Sequence, residues 1–246
     1  MRYTPTGPGP GRPLIYGHRG ASGDERANTV AAYALAIAQG ADGVELDVRL
    51  TQDRVLIIHH DDHEGDLGPF STLPFAEIRD TDPDIPTLDE AWDAIGETAF
   101  MNIEIKSEAP ESDENTPRYL ADRVVAWIAH AGVAPRILVS SFDPRITARV
   151  HDGAPDLATG QLAAPHLDPE HVISEAAKAG HRTVNLALAC MRTDPSAIVS
   201  SATDAGLGVL VWTVNEPQDA ETLAAADVAG IFTDVPGSMV DLFSQR

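Results

Sequence analysis

Short apolar segments alternate with helical segments along most of this chain, and no other feature limits its possible folds as much. The alternation is most regular in the second half, where apolar segments lie at residues 137–140, 157–161, 182–186, 208–214 and 229–233. Strands that read as continuous apolar runs are typical of a parallel sheet covered on both faces. About eight such units predict a single-domain α/β fold, the TIM (β/α)8 barrel, with a doubly wound open sheet as the alternative.

Capping residues support the predicted helices. Thr29 precedes a helix predicted at 30–39, and Gly40 follows it. A threonine hydroxyl can accept a bond from a free amide of the first turn, and glycine adopts the left-handed conformation that often ends a helix. Thr87 and Glu90 have the spacing of a capping box at the start of another helix.

The beginning of the chain predicts a domain boundary and a location. Residues 1–12 are rich in glycine and proline, so we expect a flexible lead-in there and one barrel domain at 13–246. The lead-in lacks the apolar core of a signal peptide, and no apolar run reaches the roughly 20 residues that span a membrane. We therefore expect a cytoplasmic protein without a stable membrane anchor.

The charge of the chain excludes some partners. Asp and Glu number 38 against 17 Lys and Arg, which gives a formal net charge of −21. So acidic a surface disfavours nucleic acid and anionic membranes as partners. An anionic small-molecule substrate would need positive groups or a metal ion placed locally. The single cysteine, Cys190, excludes an intrachain disulfide and a cysteine-rich zinc site.

Two carboxylates lie two residues apart within the apolar stretch at 43–48. Alternate residues of a strand point to the same face, so Glu45 and Asp47 project together. On a buried strand the two charges would repel each other and lose hydration unless a cation lies between them. Oxygen ligands suit Mg²⁺ or Ca²⁺. The alternative is an edge strand with two solvated acids.

Polar residues at the ends of other predicted strands favour the metal site. His18 and Arg19 end the first strand, and Glu104 and Lys106 end a later one. In a TIM barrel the carboxyl ends of the strands form one mouth, where the active site lies. We therefore expect these residues to converge with the two acids of 43–48.

The converging groups suit the hydrolysis of a phosphoester. A metal ion held by the three acids would polarise phosphoryl oxygens, and Arg19 and Lys106 would balance the remaining negative charge. Histidine titrates near neutral pH, so His18 and His60 can divide the roles of general base and general acid. Taken singly, each of these residues has an ordinary structural explanation; together at strand ends they favour catalysis.

Motifs along nearly the whole chain resemble the glycerophosphodiester phosphodiesterase family. They lie at residues 18–23, 43–48, 60–61, 85–88, 102–106, 140–143, 211–215 and 230–236. The resemblance implies a TIM barrel that hydrolyses glycerophosphodiesters to glycerol 3-phosphate and an alcohol with the help of Mg²⁺ or Ca²⁺. It also implies that Glu45, Asp47 and Glu104 bind the metal, while His18 and His60 form the acid–base pair.

The same resemblance implies the remaining roles. It favours His60 over His59, because the matching histidine precedes an aspartate. Arg19 and Lys106 would hold the phosphate. Trp212 would pack on the glycerol at the rim, or would serve the structure alone.

The chain departs from the family in two places. Family members usually carry Pro-Glu-Asn-Thr before the first helix, whereas residues 26–29 read Arg-Ala-Asn-Thr, so Ala27 replaces the glutamate. Any support that this acid gives to Arg19 is therefore lost. The segment 62–68 replaces a loop that is often rich in threonine and glycine, and this difference bears on the substrate and not on the reaction.

Two other functions fit the pattern less well. A phospholipase D-like enzyme would cleave the head groups of lysophospholipids, but no amphipathic stretch lies near the expected mouth. A barrel that only binds phosphorylated ligands would not need both histidines and all three acids. The sequence therefore favours a hydrolase that acts on a small molecule.

Overall fold

A computed structural model describes residues 12–106 and 115–244. The predicted lead-in at 1–12 lies outside these residues except for Arg12, so the domain boundary stays a prediction. Arg12 itself pairs with Asp42, whose Oδ2 lies 3.0 Å from the guanidinium Nη1.

Strands and helices alternate through the described residues. The strands are β1 Leu14–His18, β2 Gly43–Leu50, β3 Leu56–Ile58, β4 Phe100–Ile105, β5 Ile137–Ser141, β6 Ala158–Ala163, β7 Thr183–Ala187, β8 Gly208–Trp212 and β9 Gly230–Thr233. The helices are α1 Val30–Ala38, α2 Phe75–Thr81, α3 Leu88–Ile95, α4 Asn115–Ala131, α5 Pro144–Gly153, α6 Pro169–Lys178, α7 Pro195–Asp204, α8 Pro217–Ala225 and α9 Pro236–Ser244.

Parallel strands close into a barrel, which confirms the predicted TIM fold and excludes the open sheet. The strand order is β1-β9-β8-β7-β6-β5-β4-β2, and β2 pairs again with β1. The remaining strand, β3, is antiparallel to β2 and lies outside this ring, with Val48 opposite Ile58 and Leu50 opposite Leu56. All three residues of β3 are buried, because the strand packs against the end of β2. Its sequence is therefore as apolar as that of a barrel strand, although β3 is not part of the ring.

The barrel interior separates apolar from polar side chains along its axis. The first and middle parts of the strands contribute an apolar cluster made of Leu14, Tyr16, Leu138, Ala158, Leu210 and Phe232. Charged side chains project into the interior only nearer the carboxyl ends of β2 and β4 among the described residues. The functional groups are therefore collected at one end of the barrel, as expected for this fold.

Gly43 shows how closely the barrel strands approach. A Cβ atom there would lie 2.5 Å from the carbonyl oxygen of Phe100 and 2.8 Å from the ring of Tyr16. The neighbouring backbone cannot retreat without disturbing the barrel, so we expect Gly43→Ala to lower the free energy of unfolding by about 1–3 kcal/mol. Urea unfolding measures this loss.

Gly153 provides the matched control, because a Cβ atom there would have its nearest neighbour, a Val125 methyl carbon, at 3.8 Å. Gly153→Ala should therefore leave stability unchanged or slightly raised. Equal destabilisation by the two substitutions would contradict the packing argument.

Candidate active site

Three buried carboxylates meet at the carboxyl ends of β2 and β4. The strands pair in parallel with Asp47 opposite Glu104, and Glu45 lies on the same face as Asp47. One oxygen from each of these side chains lies within 4.8 Å of the others. The structure thus brings together the three acids that the sequence analysis predicted as metal ligands.

Two cations pair with the acids. Lys106 Nζ lies 2.8 Å from Asp47 Oδ1 and 2.5 Å from Glu104 Oε1. Arg19 Nε lies 3.2 Å from Asp47 Oδ2, and the Arg19 backbone amide donates to Glu45 Oε2 at 3.0 Å. Within this group of described residues, three carboxyl groups face two cations, so full ionisation of the acids would leave an excess of one negative charge.

Crowding and burial oppose ionisation of two of these acids. Burial, followed by the charge of Asp47, raises the pKa of Glu45 well above its ordinary value and that of Glu104 to about 7. Burial acts on Asp47 in the same direction, but Lys106 and Arg19 outweigh it and lower the pKa of Asp47. A divalent cation bound by these oxygens would hold all three groups in the ionised form. The donor set therefore fits Mg²⁺ or Ca²⁺.

Asn28 is a site residue that the sequence analysis treated only as part of a departing motif. Its backbone has φ 61°, and its Nδ2 donates to Asp47 Oδ2 at 2.7 Å. Tyr33 in turn donates its hydroxyl to Asn28 Oδ1 at 3.0 Å. Asn28 and Lys106 thus hold different oxygens of the Asp47 carboxylate. The adjoining Ala27 supplies no carboxylate, and Arg19 pairs with Asp47 instead.

His18 is oriented by Asp234, which lies in the motif at 230–236 but had no role predicted from the sequence. His18 Nδ1 lies 2.7 Å from Asp234 Oδ1. Asp234 also accepts bonds from Ser22 Oγ at 2.9 Å and Asn215 Nδ2 at 2.6 Å. Burial alone would raise the pKa of Asp234, but these hydrogen bonds lower it to about 2. The ionised carboxylate therefore holds the proton on Nδ1 and leaves Nε2 of His18 for the pocket.

The two neighbouring histidines after β3 take different directions. His60 lines the pocket, and its Nδ1 lies 2.8 Å from Asp61 Oδ1. Burial, followed by the charge of Lys106, lowers the pKa of His60. His59 instead places Nε2 2.9 Å from Glu64 Oε2 and packs edge-on against Phe70. The geometry thus favours His60 over His59 as the group that reaches a substrate.

A pocket of about 150 Å³ connects these groups. Its polar lining includes the two histidines, Arg19, Lys106, Glu45 and Glu104, whereas Asp47 is almost fully buried. Its apolar lining consists of Phe142, Leu162, Trp212 and Phe232. A ligand with a charged end and a small hydrocarbon part would match both kinds of lining.

Trp212 belongs to the apolar wall and is held there. Its Nε1 donates to the backbone oxygen of Asn185 at 3.0 Å, and its ring is nearly perpendicular to Phe142, with centroids 5.7 Å apart. The residue is therefore both packed into the structure and presented to the pocket.

Among the described residues, no helix has the length and apolar character required to cross a membrane.

Comparisons with known proteins agree with this geometry. The model of the glycerophosphoryl diester phosphodiesterase family matches residues 18–238. A glycerophosphodiester phosphodiesterase of Caldanaerobacter subterraneus is 30% identical over an alignment that covers 93% of this chain and 97% of the relative.

Solved structures show the same architecture. A glycerophosphodiester phosphodiesterase from Thermotoga maritima is 26% identical, with a TM-score of 0.80 over 94% of this chain and 98% of that one. An Oleispira antarctica phosphodiesterase, solved in complex with the product sn-glycerol-3-phosphate, is 24% identical. It shares the fold with a TM-score of 0.81 over 94% of this chain and 97% of its own.

Proposed function

Because the chain belongs to the glycerophosphoryl diester phosphodiesterase family and is a phosphodiester hydrolase, we propose that it cleaves glycerophosphodiesters to glycerol 3-phosphate and an alcohol with the help of a divalent cation. One observation carries this proposal: a buried cluster of three acids meets two cations and two histidines at a single pocket. The product bound to the Oleispira antarctica phosphodiesterase supports the choice of substrate.

The charges of the pocket support a bound cation. Glu45, Asp47 and Glu104 would hold Mg²⁺ or Ca²⁺, which would polarise the phosphoryl oxygens and stabilise the charge that develops on them. When the cation holds all three acids in the ionised form, they exceed Arg19 and Lys106 by one negative charge. A bound divalent cation changes the net charge of these groups from −1 to +1. The site is then complementary to the single negative charge of a phosphodiester.

Arg19 and Lys106 would orient the phosphate. The Lys106 side chain is only 9% exposed and is anchored by two carboxylates, so its ammonium group has a fixed position. Arg19 is 27% exposed and can present its remaining guanidinium donors to the pocket. Fixed donors stabilise negative charge without reorganisation during the reaction.

We assign the base to His18 and the acid to His60. The ionised Asp234 stabilises the imidazolium that forms when Nε2 of His18 accepts a proton. His60 lacks such a buried carboxylate partner and takes the other role. Its lowered pKa makes the imidazolium a stronger acid, although it also reduces the fraction that is protonated at neutral pH. The two roles exchange in the second half of the reaction.

The glycerol C2 hydroxyl is the proposed first nucleophile. It would transfer its proton to His18 and attack phosphorus, while the bond to the alcohol breaks and His60 gives that alcohol a proton. Water then opens the cyclic phosphate with the roles reversed. A hydroxyl on the same molecule has a high effective molarity, which favours this route over direct attack by water.

A 2-deoxy analogue of glycerophosphocholine tests this route. We expect the analogue to bind but to turn over at least about 10²-fold more slowly, because it lacks the internal nucleophile. Phosphorus NMR should show a cyclic glycerophosphate early in the reaction of glycerophosphocholine itself. Equal turnover of the two compounds would mean that water attacks directly.

The choice of substrate needs a separate measurement. Glycerophosphocholine and lysophosphatidylcholine should be compared with and without chelator, because they share the phosphocholine group and differ in the acyl chain. We expect turnover of glycerophosphocholine that chelation stops. Preference for the lysophospholipid would indicate a phospholipase D-like enzyme, and turnover of neither compound would indicate a binding protein.

A further inference from the structure

Arg49 is a buried cation on the strand that carries the acidic cluster. It follows Asp47 by two residues on β2 and therefore lies on the same face as the acids, one step farther toward the end of the strand. Here β2 has passed the barrel rim and pairs with β3, with Arg49 opposite Ile57. The residue is 6% exposed. A guanidinium group buried to this extent needs hydrogen-bond acceptors.

The backbone of the histidine segment supplies acceptors for Arg49. Nε of Arg49 donates to the carbonyl oxygens of His59 at 3.2 Å and of His60 at 3.0 Å. Nη2 of Arg49 donates to the His60 carbonyl as well. The amide of His59 is meanwhile bound to the carbonyl oxygen of Asp47 at 2.9 Å. The peptide groups on either side of the His60 Cα atom are thus hydrogen-bonded to β2.

The imidazole of His60 depends on this backbone more than the imidazole of His18 does. His18 binds Asp234, which is itself fixed by further hydrogen bonds. The ring of His60 is 43% exposed and pairs with Asp61, which is 66% exposed. An exposed pair of this kind contributes little to holding a side chain in place.

We infer that Arg49 is the positioning residue for His60. The planar guanidinium fixes two successive carbonyl groups and so sets the direction in which the His60 side chain leaves the backbone. Misplacing a reacting group by about 1 Å can lower a rate by roughly 10²-fold. This inference rests on the proposed catalytic role of His60, and it adds a residue that is not among those lining the pocket.

A double-mutant cycle with Arg49→Met and His60→Ala tests the inference. In the otherwise unchanged protein, Arg49→Met should lower kcat for glycerophosphocholine roughly 10–10²-fold and change KM by less than about twofold. In the His60→Ala background, the same substitution should cost less than about twofold more, because nothing is left to position. Binding of Mg²⁺ measured by calorimetry should stay unchanged.

Two further variants complete the design. Arg54→Met is the control, because Arg54 is exposed and stacks on Tyr119 away from the pocket, so kcat should stay unchanged. If circular dichroism shows that Arg49→Met does not fold, the cycle is run with Arg49→Lys. Lysine keeps the charge but cannot hold both carbonyls with a planar fork, so a smaller loss should again vanish in the His60→Ala background.

The outcomes separate the inference from the proposed function. An equal loss in both backgrounds would show that Arg49 acts on the structure in general, and no loss in either would show that it does not act at all; both results overturn the inference. If His60→Ala alone keeps full activity, His60 has no catalytic role, and Arg49 then has no catalytic group to position.

Discussion

Excess chelator should abolish turnover of glycerophosphocholine, and Glu45→Gln should lower the rate by more than about 10²-fold even when Mg²⁺ is restored. Glu45 is one of three carboxylates whose oxygens lie within 4.8 Å of one another. An amide keeps the size of the side chain but removes a charged ligand. The predicted preference for Mg²⁺ or Ca²⁺ over Zn²⁺ follows from an all-carboxylate donor set.

Thermal unfolding with and without Mg²⁺ gives a readout that is independent of activity. A cation that binds only the folded protein raises its Tm, so the parent protein should be stabilised and Glu45→Gln should not. Glu97→Gln is the control, since Glu97 is exposed and is not part of the acidic cluster. Full activity in excess chelator would refute the cation requirement.

His18→Ala and His60→Ala should each lower the rate roughly 10²–10⁴-fold. Both side chains line the pocket. The double variant should be only slightly less active than the less active single variant, because the losses from residues that act in one proton-transfer sequence are not additive. Steady-state kinetics with glycerophosphocholine at saturating Mg²⁺ measures all three losses.

His59→Ala is the matched control for the histidine variants. The ring of His59 binds Glu64 and the backbone of Asp61. The substitution leaves the backbone carbonyl that Arg49 binds, so we expect only a mild loss of rate. A His59 variant as inactive as the His60 variant would show that the wrong histidine has been assigned.

Local patterns in the sequence determined the elements of the fold. The predicted helix at 30–39 and the observed helix α1 at Val30–Ala38 differ by one residue, and the five apolar segments predicted in the second half agree with the observed strands to within two residues. The spacing of Glu45 and Asp47 determined that they share a face, because alternation along a strand is a property of the extended backbone itself. Because barrel strands end at one mouth, Glu104 and Lys106 could then be predicted to lie beside these two acids.

Closure of the barrel determined the contacts between residues that are far apart in the sequence, which no local pattern specifies. Asp234 orients His18 although 216 positions separate them, because β9 pairs with β1 only in the closed ring. The role of β3 was also decided by packing, since an apolar run at 55–58 is compatible with a barrel strand until the antiparallel pairing with β2 is known. That pairing in turn brings the carbonyl groups of His59 and His60 to Arg49. Sequence periodicity specifies which way a side chain faces, whereas its partners depend on which strands become neighbours.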